Sequence, residues 1–162
     1  MRKDRYDVLD RIDRGILARL QEDARITAEA MAPDVGLSIA AVQRRIKRLR
    51  EEGVIQKEIA VVDPFKLGQA MTFVVSVELD RERLTDLDDF ERTMRSESHV
   101  QQCYRVTGTT DFVLILLAHD MTDFETFTRR ALYENGNVRR FTTNVVTSRV
   151  KVGLSVPIDE SE

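Results

Sequence analysis

The sequence predicts an α+β protein in two parts, a helical first third followed by a ferredoxin-like β-α-β-β-α-β domain. Three observations support this prediction. Apolar residues recur every three or four positions up to residue 52, Gly53 and Pro64 then interrupt the pattern, and strand-like and helix-like periods alternate beyond Met71. We divide the 162 residues into a helical domain (1–53), a linking strand and hinge (54–70), a ferredoxin-like domain (71–155) and a C-terminal tail (156–162).

The first helix is predicted from an apolar stripe with helical spacing, formed by Leu9, Ile12, Ile16 and Leu20. Either Asp7 or Asp10 is suited to cap its start, because a carboxylate accepts hydrogen bonds from the free N–H groups of a first turn.

A second helix is expected to begin after Thr27, its N-cap, and to run toward Val35. Pro33 falls within it and removes one backbone hydrogen bond, so we expect this helix to be short or kinked.

A third helix, residues 39–52, follows the turn at Gly36. Ser38 is its predicted N-cap and Gly53 its C-terminal glycine. Its buried stripe is predicted to consist of Ile39, Val42, Ile46 and Leu49.

The remaining elements are read from changes of period. Residues 54–62 are strand-prone, and Asp63-Pro64 marks a turn. Further strands are predicted at 73–79, 100–106, 112–118 and 138–148; helices are marked by Leu84, Leu87, Phe90 and Met94, and by Met121, Phe124, Phe127 and Ala131. Residues 112–118 are apolar without interruption, as in a central strand covered on both faces. Helices cover one face of such a sheet, and a second copy of the chain is the simplest cover for the other.

Composition excludes several classes of protein. Hydrophobic residues make up 42% and charged residues 33% of the chain, a balance typical of soluble globular proteins. No apolar run approaches the roughly 20 residues of a membrane helix, and the first ten residues are too charged for a signal peptide. The single cysteine, Cys103, excludes an internal disulfide, and neither histidine lies in a metal-ligand pattern. The sequence therefore predicts a cytoplasmic protein without a metal site or a cofactor.

Positive charge is concentrated in one place. The net charge of the chain is −3, yet five Lys or Arg residues and no acidic residue lie between Arg44 and Arg50. Two helices joined by a glycine-containing turn, the second of them basic, are typical of a helix-turn-helix that binds double-stranded DNA. The alternative is a solvated helix face, but such a face usually mixes charges of both signs.

The third helix supplies the candidate DNA contacts. Small residues in its first turn let the backbone approach base edges, and long cations further along reach guanine edges or phosphates. The predicted DNA-binding residues are Ser38, Ala40, Ala41, Arg44, Arg45, Lys47 and Arg48.

The second candidate site is the sequence Gly108-Thr109-Thr110-Asp111 between two strands. Exposed N–H groups beside a glycine bind carboxylates, and an aspartate pairs with an ammonium group. Together these groups suit a free α-amino acid. A plain hairpin turn explains the same residues equally well.

The sequence resembles that of a known protein family. The segments LDRIDRGILARLQEDARIT, VGLS…RRIKRLREEGVI and TGTTDF look like those of the Lrp/AsnC (feast/famine) transcription regulators, over a match from about Leu9 to about Lys151. The resemblance implies a winged-type helix-turn-helix domain and a ligand-sensing domain that binds amino acids near the Gly108 loop. It also implies homodimers paired through their sheets, often assembled into tetramers or octamers.

The resemblance adds one site residue and shows two departures. Thr143, on the last strand, matches a Ser/Thr position found near the ligand cleft. Pro33 replaces a helix-forming polar residue, and Ile39-Ala40-Ala41 replaces a Ser/Pro-rich helix start, which bears on the operator sequence.

Two other functions remain as alternatives to a non-enzymatic regulator. Some haem-pathway decarboxylases resemble this two-domain architecture, although they would need polar groups around a tetrapyrrole-sized cavity. An architectural DNA-binding protein without an effector is the second alternative. It would be favoured by a Gly108 loop whose polar groups already pair within the protein.

Overall fold

The computed structural model of the chain describes residues 9–80 and 83–159. It divides into two compact units. The described part of the first consists of residues 9–61 together with 152–159, and that of the second begins at residue 62 and ends at residue 151. No helix of these described segments is long and apolar enough to cross a membrane.

The first unit contains three helices, α1 (Arg11–Glu22), α2 (Ala28–Val35) and α3 (Ile39–Glu51). Their starts follow the predicted caps, since Asp10, Thr27 and Ser38 each accept a hydrogen bond from the N–H three residues further on. Asp10 thus caps α1, whereas Asp7, the other candidate, lies outside the described residues. The α2 helix has only eight residues and retains Pro33 near its end, consistent with the expected short helix.

One small core holds these helices together. The fully buried residues come from all three helices: Ile16, Met31, Val42 and Leu49. The predicted stripe of α3 is wrong at Ile39, which is 44% exposed, because this residue opens the helix ahead of the turn that packs inward.

The predicted strand at 54–62 is absent from the described chain. Residues 54–70 contain only a 3-10 turn, Phe65–Leu67, and Val61 remains 91% exposed. A strand requires a neighbour for its ladder of hydrogen bonds, and this protomer offers none to the segment. The turn itself is fixed to the second unit, where His119 Nδ1 lies 2.8 Å from the Gly68 carbonyl oxygen.

The second unit has the predicted β-α-β-β-α-β order. It contains β1 (Met71–Leu79), α4 (Leu84–Ser96), β2 (Val100–Arg105), β3 (Phe112–Ala118), α5 (Met121–Thr128) and β4 (Val138–Val145), with a π-helical turn at Arg129–Tyr133. The sheet order is β2-β3-β1-β4 and all three pairings are antiparallel.

The sheet has one covered and one open face. The buried core lies between the helices and alternate residues of β1 and β3, with Phe73 stacked on Phe124 at a ring-centroid distance of 3.8 Å. The intervening residues of β3, Val113, Ile115 and Leu117, are only half-buried. The uninterrupted apolar pattern of β3 therefore reflects a central strand with one face still accessible in the protomer.

Candidate functional site

The helix-turn-helix is formed by α2, α3 and the turn between them. Gly36 ends α2 in the left-handed region (φ 67°), a conformation that glycine adopts without steric cost. Ser38 then starts α3, and its Oγ accepts a hydrogen bond from the Ala41 N–H at 3.3 Å. The Ser38 side chain, one of the predicted DNA-binding groups, therefore caps the helix.

The surface of α3 opposite the core carries Ala40, Arg44 and Lys47, all exposed, while Ala41 is half-buried beside them. Lys47 Nζ lies 3.7 Å from Glu51 Oε1, and the two side chains form a loose ion pair at the surface. Arg44 makes no ion pair within the described parts of the chain. This surface, which we call the basic face, presents cations to solvent.

Two of the predicted DNA-binding arginines, Arg45 and Arg48, instead contact acidic residues at the start of α1. Arg45 Nη1 donates to Asp10 Oδ2 at 2.7 Å and to Asp13 Oδ1 at 2.8 Å, and Arg48 Nη2 donates to the other oxygen of Asp13. Asp13 is 1% exposed, so both of its oxygens are held by guanidinium groups from α3. We call these four residues the arginine clamp; it fixes α3 against the start of α1.

The charges in the clamp shift two pKa values in directions that favour the ion pairs. The Asp13 N–H and the Arg45 guanidinium lower the pKa of Asp10, and hydrogen bonds to Asp10 and Asp13 raise the pKa of Arg45. The sequence contains a signal for this arrangement, because Asp10 and Asp13 are three residues apart, as are Arg45 and Arg48. We predicted DNA contacts for both arginines and did not predict the clamp.

The second candidate site is the loop between β2 and β3. Gly108 adopts φ 126°, and a Cβ atom built there would meet nothing within 4 Å. Two of the predicted residues are engaged by their own sheet. Asp111 Oδ2 accepts from the Leu79 N–H at 2.7 Å, and Thr110 Oγ1 donates to the Val77 carbonyl at 2.7 Å.

The other two residues of the predicted site make no such bonds. Gly108 and Thr109 are exposed, and their N–H groups make no hydrogen bond to any other described residue. Thr143 lies elsewhere, because β1 separates β3 from β4 and the two strands are therefore about 10 Å apart. Thr143 pairs with Val75 on the helix-covered side of the sheet and is not brought to the loop within one protomer.

The remaining reactive side chains are Cys103 and the two histidines, and their surroundings are typical of structural roles. Burial raises the pKa of the Cys103 thiol, which disfavours the nucleophilic thiolate. His99 Nε2 lies 3.0 Å from Asp123 Oδ1, and the His119 N–H and His99 both lower the pKa of Asp123. No group of three or more metal-ligating side chains is assembled in residues 9–80 and 83–159.

Comparison with known proteins identifies both units. The profile of a winged helix-turn-helix DNA-binding domain matches residues 9–56, and that of the Lrp/AsnC ligand binding domain matches residues 72–156. The chain belongs to the Lrp/AsnC family. The helix-turn-helix and the ligand-binding domain make this Lrp/AsnC protein a transcription regulator, as its relatives are.

Individual relatives extend over almost all of the chain. An HTH-type transcriptional regulator of Sinorhizobium fredii is 45% identical, covering 93% of this chain and 89% of the relative. The leucine-responsive regulatory protein of Escherichia coli is 32% identical, covering 88% of this chain and 87% of that protein. Among solved structures, the L-Met complex of a Neisseria meningitidis transcriptional regulator aligns with a TM-score of 0.85 at 28% identity, covering 92% of this chain and 96% of that one.

Proposed function

We propose that this Lrp/AsnC protein is an amino-acid-responsive regulator that meets DNA with the basic face of α3. The proposal rests on the observation that the basic side chains of α3 fall into two groups. Arg45 and Arg48 are held by the carboxylates of α1, whereas Arg44 and Lys47 extend into solvent on one side of the helix. In this proposal the clamp orients α3, and the basic face contacts bases and phosphates.

A matched pair of variants tests the DNA half of the proposal. Fluorescence anisotropy would measure the binding of each variant to DNA from upstream of the protein's own gene, over a salt series. Arg44→Ala is expected to weaken binding by about 1–3 kcal/mol if the contact is to a base. If the contact is to a phosphate, binding to all sequences weakens and the salt slope falls by about 1.

Arg48→Ala is the comparison, because it removes a clamp cation. It is expected to lower the free energy of unfolding, which Arg44→Ala leaves unchanged. Wild-type affinity in Arg44→Ala, Lys47→Ala and the double variant would refute the basic face as the DNA contact.

For the effector, the proposal places an α-amino acid at the β2–β3 loop. The free N–H groups of Gly108 and Thr109 suit its carboxylate, and the second oxygen of Asp111 suits its ammonium group. The L-Met complex of the Neisseria meningitidis regulator supports this class of ligand. In an assembly, the ligand would act by favouring one packing of dimers over another, which changes the spacing of the DNA-binding domains.

One observation favours a second candidate, a DNA-binding protein that needs no effector. Thr110 and Asp111 already pair with the backbone of β1, as the architectural alternative requires. Repeating the anisotropy measurement with the twenty amino acids separates the two candidates. A shift with one amino acid supports the effector site, and indifference to all of them supports the second candidate. The decarboxylase alternative gains no support from a family of transcription regulators.

Two variants in which valine replaces a threonine of similar shape test which hydroxyl group takes part in any response to an amino acid. Thr109→Val removes an exposed hydroxyl that makes no hydrogen bond to any other described residue, and it is expected to change the amino-acid response without changing stability. Thr110→Val removes the bond to the Val77 carbonyl and is expected to cost about 1 kcal/mol of stability. An unchanged response in Thr109→Val would move the ligand away from this hydroxyl.

We also propose that the protein forms a dimer through its sheet. The open face of the sheet carries the half-buried residues Val113, Ile115 and Leu117, and a second copy of the chain is its proposed cover. A dimer formed in this way would present two helix-turn-helix units to the two halves of a pseudo-palindromic site.

A further inference from the structure

The C-terminal segment belongs to the DNA-binding unit although it follows the ligand-binding domain in the chain. Residues 152–159 group with residues 9–61, and we call them the strap. Residues 160–162 lie outside the described chain, whereas Ile158 is half-buried and Asp159 has a defined contact.

The strap is held on α1 by one side chain that makes two hydrogen bonds to the same residue. Gln21 Nε2 donates to the Val156 carbonyl oxygen at 3.0 Å, and Gln21 Oε1 accepts from the Val156 N–H at 2.6 Å. The amide side chain therefore pairs with the strap as a neighbouring strand would. About two turns earlier on α1, Arg14 Nη1 lies 3.4 Å from the Asp159 carbonyl oxygen.

The local sequence favours an extended conformation of the strap, which suits this contact. Val156 precedes Pro157, and a residue before proline is restricted to extended conformations. Its N–H and carbonyl groups are therefore available to Gln21 without first giving up a helix or a turn. The apolar side chains of the strap remain 60% exposed at Val152, 73% at Leu154 and 65% at Val156, so hydrogen bonds rather than burial of these side chains hold the strap.

The path from the ligand-binding domain to the strap is short. Strand β4 ends at Val145, and the Val146 N–H still donates to the Thr72 carbonyl of β1 at 2.9 Å. Only residues 147–151 separate this fixed point from the first residue of the strap. The two units are thus joined by a second covalent connection, in addition to the hinge that follows residue 61.

We propose that the strap is a docked segment of the DNA-binding unit and that it tethers α1 to β4. Gln21 is the positioning residue that holds it. With the strap docked, the DNA-binding unit is connected to the ligand-binding domain at two places, which limits its orientations and favours those that fit the DNA site. This second part rests on the proposed DNA-binding function, whereas docking itself does not.

Amide exchange of Val156, measured by NMR on the full-length protein, tests docking. In the wild type we expect exchange to be slowed on the order of tenfold or more relative to an unstructured peptide of the same sequence. Gln21→Ala is expected to abolish this protection. Gln56→Ala, the same change at an exposed glutamine outside α1, is the matched control and should preserve it. Unprotected Val156 in the wild type would overturn docking.

The tether is tested by affinity for the upstream DNA fragment. Gln21→Ala and a chain ending at Lys151 are both expected to bind it on the order of 3–10-fold more weakly, with unchanged affinity for DNA of random sequence. Removal of residues 160–162 alone should have no effect. Wild-type affinity in a variant whose Val156 has lost protection overturns the tether. If the wild type binds no DNA, the proposed function fails, and the exchange experiment still decides whether the strap docks.

Discussion

Asp13 shows how one buried carboxylate holds two arginines of the basic segment. It occupies the third position of α1, where it also lies 3.4 Å from the Asp10 N–H, and it is 1% exposed. A buried carboxylate is stable only when its oxygens are paired, and here Arg45 and Arg48 pair both. Asp13 thus binds two cations of the basic segment and leaves Arg44 and Lys47 on the surface.

We expect Asp13→Asn to destabilise the DNA-binding unit by about 2–3 kcal/mol, because two guanidinium groups lose their buried partner. Urea unfolding followed by far-UV circular dichroism measures this loss. Asp34→Asn, which removes an exposed pair with Arg19 at 3.2 Å, is the control and should cost less than about 1 kcal/mol. Equal effects of the two substitutions would contradict the clamp.

Asp10 makes the stability of the same unit depend on pH. Its pKa is below the ordinary 3.8 in the folded chain because of the Asp13 N–H and Arg45. The folded form therefore binds this proton less readily than the unfolded form. The stabilisation is complete above pH 3.8 and is lost as the pH falls through the folded pKa.

Comparison of the wild type with Asp10→Asn isolates this contribution, since asparagine is also a good N-cap. Near neutral pH the wild type should be the more stable of the two in urea unfolding. Below pH 3.8 the difference should shrink toward zero. A difference that is constant over the whole range would show that the charge of Asp10 contributes nothing.

At the scale of elements, helix boundaries were predictable because local chemistry determines them. Thr27 and Ser38 cap the helices they were expected to cap, and Gly53, with φ 71°, follows the end of α3. The strand expected at 54–62 does not form because no other described segment pairs with it, which no local pattern reveals. The clamp was not predicted because the three-residue spacings of its aspartates and of its arginines do not show that the two pairs meet, since the partners are 32 to 35 positions apart in sequence.

Gly36, at the turn of the helix-turn-helix, gives a test at this scale. Its φ of 67° costs a residue with a Cβ about 1 kcal/mol, although nothing lies within 4 Å of the added atom. We expect Gly36→Ala to lower the free energy of unfolding by that amount. Gly136→Ala, where a Cβ also meets nothing and φ is not positive, should be close to neutral. A neutral Gly36→Ala would mean that the turn adapts its backbone.

For the whole molecule, the order of elements was predictable and the grouping of the C-terminus was not. Alternating periods beyond Met71 indicated β-α-β-β-α-β, and the sheet has the corresponding order β2-β3-β1-β4. The strap joins the first unit through a glutamine side chain, and one Gln residue on a helix surface carries no periodic signal. Sequence likewise located the β2–β3 loop without showing that Thr110 and Asp111 are bonded to β1.

The open face of the sheet is the proposed interface between subunits. Ile115 lies on β3, opposite Val74 of β1, and both are half-buried on the face opposite the described helices of the second unit. If a second copy covers this face, Ile115→Asp places a carboxylate in an apolar interface at a cost that separates the subunits. Leu84→Asp is the control, since Leu84 is 71% exposed at the first position of α4. Light scattering after gel filtration should give a smaller species for Ile115→Asp alone, with unchanged circular dichroism, and a full-size assembly in Ile115→Asp would place the interface elsewhere.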